Sequence, residues 1–214
     1  MPNTAAEFVA EIAALKFSDT FNPYSSVCAV HDLTDAQLIR QRNLTLALAA
    51  AMRDGVDSLW IARDLGHRGG RRTGLALTDD VHLEAHAQLC GAIGLERATK
   101  GPPMAEATAR VIWRALKKID KRVFLWNVFP LHPHECGDSF SNRKHKQYER
   151  QQCERYIAWL VSTLNPRMIV AIGNDAAYAL EGRSYKCVSV RHPSYGGQTQ
   201  FLKQIGQLYR VNIA

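Results

Sequence analysis

Three residues of this chain have types and positions that suit shared chemistry: Asp64, Asn127 and His192. Asp64 follows Ser58-Leu59-Trp60-Ile61-Ala62 and Arg63. Asn127 follows Val123-Phe124-Leu125-Trp126, and His192 follows Cys187-Val188-Ser189-Val190 and Arg191. Such apolar runs suit buried strands, and the chain between them leaves room for the helical crossovers of parallel strands. In open α/β sheets, ligands bind outside the carboxyl ends of the strands. An acid, an amide and an imidazole, distant in sequence, are therefore expected in one pocket.

Each group has its own chemistry. A carboxylate at a strand end positions a water or stabilises developing positive charge, although the same place also suits a turn cap. Asn127 carries one acceptor and two donors. It matches the edge of a planar base with adjacent C=O and N–H groups, or equally the backbone of a loop. Pro193 fixes its own φ and restricts His192 before it, which stiffens the imidazole. Arg191, Ser194 and the backbone N–H groups of Tyr195, Gly196 and Gly197 suit a phosphate. Gly66, Gly69, Gly70 and Gly74 make the loop after Asp64 permissive enough for close approach to a ligand.

Other chemistries are disfavoured. Five residues beyond Gly66 stands Arg71 rather than glycine, and no Lys-Ser/Thr pair follows, so the phosphate-loop pattern fails. Gly-x-Gly-x-x-Gly is absent too. His132, His134 and Cys136 lack a second spaced ligand group, so neither a metal nor another cofactor is expected.

The elements that must place these groups alternate. Helical periods run over residues 5–16, from Thr34 to about Arg53 with Gly55 ending the run, and over 80–93, 105–118, 145–163 and 198–209. Strands are expected at Asp57–Ala62, Arg122–Val128, Met168–Ile172 and Cys187–Val190, with a helix from Gly173-Asn174-Asp175 through Leu180. The stretch from Asp64 to Thr78 reads as loop. This pattern predicts an α/β fold: a three-layer αβα sandwich around a four-stranded, mostly parallel sheet. The whole chain, residues 1–214, is expected to form a single domain.

Composition sets the wider limits. Of the 214 residues 46% are hydrophobic, the net charge is +7 and the pI is near 9.3. No apolar run approaches the ~20 residues that span a bilayer, and Glu7 and Glu11 interrupt any export signal. A cytoplasmic protein without a membrane partner is expected, and nothing requires more than a monomer. The positive charge suits a polyanionic partner. Arg63, Arg68, Arg71 and Arg72 crowd one loop, and Arg143, Lys144 and Lys146 crowd another. The five cysteines, at 28, 90, 136, 153 and 187, contain no Cys-x-x-Cys and read as reduced thiols.

Together these segments resemble the uracil-DNA glycosylase superfamily from about Phe21 to Tyr209. Ala62-Arg63-Asp64-Leu65-Gly66 resembles its first motif, and Asn127 with Pro130 and Pro133 resembles its base-reading segment. Ser141-Asn142-Arg143 with Glu149 and Cys153 resembles the segment that follows in the iron–sulfur branch. Asn165 through Ala176 resembles its strand and turn, and His192-Pro193-Ser194 its last motif. The resemblance implies an enzyme that flips uracil out of single- or double-stranded DNA and hydrolyses its N-glycosidic bond. Asp64 would orient water and stabilise an oxocarbenium-like sugar, and neutral His192 would donate to the base's O2. Asn127 would read the base, with Leu77, Arg63, Leu65 and Gly66 around it. Arg68, Arg71, Arg72, Arg143, Lys144, Arg191, Ser194, Tyr195 and Gly196 would meet DNA. No lysine stands at a motif position to attack the sugar, so no lyase step is implied.

Two departures mark a divergent branch. Gly66 stands where the best-known branch has a tyrosine that blocks thymine, and Leu77 stands near a stacking phenylalanine. They leave hypoxanthine, xanthine or mismatched thymine open as substrates, as well as a catalytically weak DNA-binding module. The early cysteine pair of the iron–sulfur branch is missing, so no cluster is expected.

Overall fold

The computed structural model describes residues 1–181 and 185–213. In chain order its elements are α1 (Ala5–Ala13), β1 (Thr20–Phe21), α2 (Ala36–Asp54), β2 (Ser58–Asp64) and α3 (Gly70–Thr73). There follow a 3₁₀ turn (Asp80–His82), α4 (Leu83–Cys90), α5 (Ala107–Leu116), β3 (Val123–Phe129) and β4 (His132–Pro133). The chain continues with α6 (Gln147–Leu164), β5 (Met168–Ile172), α7 (Asn174–Leu180), β6 (Cys187–Val190) and α8 (Gln198–Tyr209).

Local chemistry explains the ends. The Thr4 hydroxyl accepts the Glu7 N–H at 3.1 Å and starts α1. Gly55, at φ 71°, stops α2, and Asn165 in the left-handed region stops α6 before Pro166.

The main sheet has the order β3-β2-β5-β6 and is parallel throughout. Alternation along the strands builds two cores. Leu59, Ile61, Phe124, Trp126, Ile169 and Ala171 pack on one face beneath α1, α2, α6 and α7. Trp60, Leu125, Val170, Ile172 and Val190 pack on the other beneath α5 and α8. This is the three-layer sandwich that the alternating pattern predicts. From β2 the chain moves to β3 on one side, then returns past β2 to β5 and β6 on the other. That reversal opens a crevice at the carboxyl ends of β2 and β5.

The segment after β2 departs from expectation. Residues 69–80 are buried throughout and include α3. The Arg71 guanidinium lies over the Phe21 ring at 4.1 Å and the Phe140 ring at 5.1 Å. Arg72 pairs with the buried Asp80 at 2.8 Å. Neither cation faces outward, which corrects their assignment to DNA. Glycines and arginines read as a solvated loop in sequence, but here the Asp80 carboxylate holds Arg72 and two aromatic rings cover Arg71 inside the fold. The expected helix over 80–93 also divides into the 3₁₀ turn and α4. The short antiparallel pair of β1 and β4 was not foreseen, since two-residue strands have no readable period.

Arg72→Ala leaves Asp80 charged and buried without its partner. The expected loss is about 3–5 kcal/mol of stability in urea unfolding. For any folded fraction the salt dependence of DNA binding stays unchanged. A loss below about 1 kcal/mol would show the pair to be dispensable.

Candidate active site

A cavity of about 390 Å³ lies at the carboxyl ends of β2, β5 and β6. Its wall is formed by residues 62–66 at the end of β2, residues 172–175 at the end of β5 and residues 191–192 and 194–195 after β6. Glu106 and Thr108 at the start of α5, Leu77, Asn142 and Arg143 complete it.

Asp64 is nearly buried, with both oxygens engaged. Oδ2 accepts from Arg63 Nε at 2.7 Å, and Oδ1 is bonded to His145 Nδ1. Arg63 also reaches Asp175 Oδ2 at 3.2 Å, and Lys144 Nζ pairs with Asp175 Oδ1. The carboxylate is thereby fixed in place at one wall of the cavity.

His192 is held in one protonation state. The Ser194 N–H donates to its Nδ1 at 3.1 Å. A ring nitrogen that accepts carries no proton, so the proton is assigned to Nε2. Burial, followed by the positive charges of Arg63 and Arg191, lowers the imidazole pKa to about 4. At neutral pH His192 is thus a neutral donor through Nε2. Gly173, at φ 88°, makes the close packing possible: a Cβ there would stand 3.0 Å from His192 Cβ.

Asn127 is placed differently from its expected position in the wall. It is 1% exposed, and among the described residues neither its Oδ1 nor its Nδ2 has a hydrogen-bond partner. It pairs in register with Ala62 across the β2–β3 ladder. Residues so paired share a sheet face, and Ala62 is in the cavity wall. The amide therefore lies in the strand row behind the floor. A buried polar group left unpaired costs about 1–3 kcal/mol.

The remaining expected residues divide. Arg63, Leu65, Gly66, Leu77, Arg191, Ser194 and Tyr195 do reach the wall. Leu77 is buried at φ 55°, and its carbonyl accepts from Trp113 Nε1 at 3.1 Å. Ser194 Oγ meets Thr108 Oγ1 at 3.1 Å. Arg68 and Gly196 are exposed, and Tyr195 is 98% exposed at φ 52°. Lys144 is largely exposed beside Asp175. Arg143 is a correction: although it touches the wall, its guanidinium is bound to Glu149 at 2.7 and 2.9 Å and to the carbonyls of Asp19 and His134. It joins loops and is not free for phosphate.

Three site residues escaped the sequence reading. His145 stood within a run read only for its positive charge. Asp175 belonged to a quoted turn but received no role. Glu106 followed Gly101-Pro102-Pro103 as an ordinary helix start. The spacing of none of them signals the contacts they make.

The iron–sulfur ligand set does not fit this chain. Cys153 is buried, its thiol pushed up to about 12 by burial, while Cys136 is exposed. Among the described residues, no three metal-ligating side chains gather at one place.

Comparison with known proteins agrees with this architecture. Residues 87–209 match the family described as the uracil DNA glycosylase superfamily. The crystal structure of wild-type SMUG2 from Pedobacter heparinus superimposes with a TM-score of 0.61 at 12% sequence identity, covering 97% of each chain. No curated protein sequence matches.

Proposed function

The chain belongs to the uracil DNA glycosylase superfamily, and we propose that it excises uracil from DNA by hydrolysing the N-glycosidic bond. The observation that carries this reading is Asn127, a buried amide without partners behind a cavity that already joins Asp64 to a neutral His192. Adjacent N–H and C=O groups on a uracil edge satisfy such an amide.

The nucleotide swings out of the helix into the cavity, at a cost of a few kcal/mol that is least at mispaired or single-stranded sites. Tyr195, at the mouth, enters the vacated space. Arg68, Lys144, Arg191 and the backbone of Tyr195 and Gly196 supply the phosphate contacts, so binding weakens with salt. The bond from C1′ to N1 breaks, and its electron pair passes to the base, gathering on N1 and O2. His192 Nε2–H donates to O2 and stabilises that charge where it develops. The Asp64 carboxylate faces the positive sugar and orients a water. The water oxygen bonds to C1′, and its proton leaves to Asp64 or solvent.

Gly66 and Leu77 favour a second reading with a wider base range, because neither supplies a ring beside the base. Oligonucleotides carrying uracil, hypoxanthine, xanthine or thymine opposite guanine, followed by alkaline cleavage of abasic sites, decide between the two. Uracil should react fastest. Faster cleavage of another base would transfer the assignment to it, and no cleavage of any would leave only a DNA-binding module.

His145 acts through Asp64. Without it, Oδ1 loses the group that orients the carboxylate. His145→Ala should lower kcat about tenfold to a hundredfold with KM little changed, as for a small misplacement of a reacting group. His145→Asn, which restores a donor near the same place, should recover much of that loss. Equal loss in both variants would show a purely structural role.

A further inference from the structure

Glu106 is unlike the other carboxylates of the cavity. Asp64 and Asp175 are paired with cations. The backbone N–H of Glu106 donates to Asp79 Oδ2 at 2.6 Å, but among the described residues no group donates to the Glu106 carboxyl itself. That carboxyl is packed against the glycine loop. A Cβ on Gly66 would stand 2.3 Å from Oε1, and one on Gly69 would stand 2.4 Å from Oε2. At both glycines the carboxyl occupies the space in which a Cβ would stand. It forms part of the cavity wall, beside Gly66.

We propose that Glu106 is a specificity-determining residue for the base, its neutral carboxyl donating a hydrogen bond to a carbonyl oxygen of the base seated beside Gly66. This assignment rests on the excision reading above and adds a contact that the reading does not use. A neutral carboxyl has one O–H donor, whereas an ionised one only accepts and repels a carbonyl oxygen.

The surroundings favour the neutral form. Burial and the Asp79 carboxylate raise the Glu106 pKa to about 7, and Arg68 pulls it the other way. Asp79 is itself engaged by His82 through Oδ1 at 2.6 Å. From the strand ends the cavity also presents Arg63, Asp64, Asp175, Arg191 and His192. Because the pKa is raised, the donor is present below about pH 7 and lost above it.

The test compares wild type with Glu106→Gln and Glu106→Ala on a single-stranded oligonucleotide with one deoxyuridine, from pH 5.5 to pH 9. Wild-type kcat/KM should fall about tenfold per pH unit above the midpoint. Glu106→Gln keeps a donor at every pH and should show no such decline. Glu106→Ala should be at least about tenfold slower at pH 6, the cost of a lost donor. In parallel, binding of an uncleavable 2′-fluoroarabinouridine oligonucleotide should weaken above neutral pH in wild type but not in Glu106→Gln. The proposal is overturned if Glu106→Gln retains the alkaline decline in both measurements, or if Glu106→Ala matches wild type. If wild type releases no uracil but the binding decline disappears in Glu106→Gln, the base contact stands and the excision reading falls.

Discussion

Asp64→Asn should lower kcat about a hundredfold or more while leaving DNA affinity nearly unchanged. The substitution keeps shape and removes charge. Asp64 sits in the wall with one oxygen on Arg63 and the other on His145, so its net charge is local and fixed in direction. In the proposed reaction its work is done as positive charge grows on the sugar, a charge the ground state lacks. An interaction made only in the transition state lowers kcat when it is removed. A loss of roughly 3 kcal/mol there is about a hundredfold in rate. Single-turnover release of uracil measures it, with binding followed separately by fluorescence anisotropy. Wild-type turnover in the variant would remove Asp64 from the mechanism.

His192→Ala should have an effect of similar size, for the opposite charge. In the proposed reaction the imidazole offers its Nε2–H to the base oxygen that becomes negative. Its competence depends on staying neutral, with Nδ1 occupied by the Ser194 N–H. Burial and the nearby arginines hold its pKa at about 4. The lowered pKa means that the neutral form persists as pH falls through the ordinary histidine range, and is lost only on approaching pH 4. An NMR titration of the His192 ring should therefore give a midpoint near 4. A midpoint near 6.5 would mean the ring is charged during much of the working range and the Ser194 contact is broken. Roughly a hundredfold loss of kcat in His192→Ala, with binding retained, completes the assignment.

The parts of this protein that were legible in the sequence are those governed by periodicity. The strands at Met168–Ile172 and Cys187–Val190 and the helix at Gln198–Tyr209 appear with the bounds their patterns indicate. A parallel order follows from the crossovers between them, and with it the meeting of Asp64 and His192. What was hidden depends on contacts between residues far apart in the chain. Arg71 looks like a DNA-binding cation until Phe21 and Phe140 enclose it. His145 looks like part of a basic surface until it meets Asp64 across the fold. Asn127 was expected where its strand ends, but β3 continues to Phe129, and the depth of the amide behind Ala62 is set by the β2–β3 register, which an apolar run does not encode. Glu106 is exceptional only because two glycines make room for it.

The proposed excision depends most on Asn127 meeting the edge of a base held between Asp64 and His192. With the side-chain amides labelled with nitrogen-15, free uracil can be titrated into the protein and the Asn127 signal followed by NMR. The amide should shift with uracil and remain still with 3-methyluracil, in which a methyl group replaces the N3–H. If uracil moves the His192 ring but leaves the Asn127 amide unmoved, or if both ligands move it equally, Asn127 does not read the base.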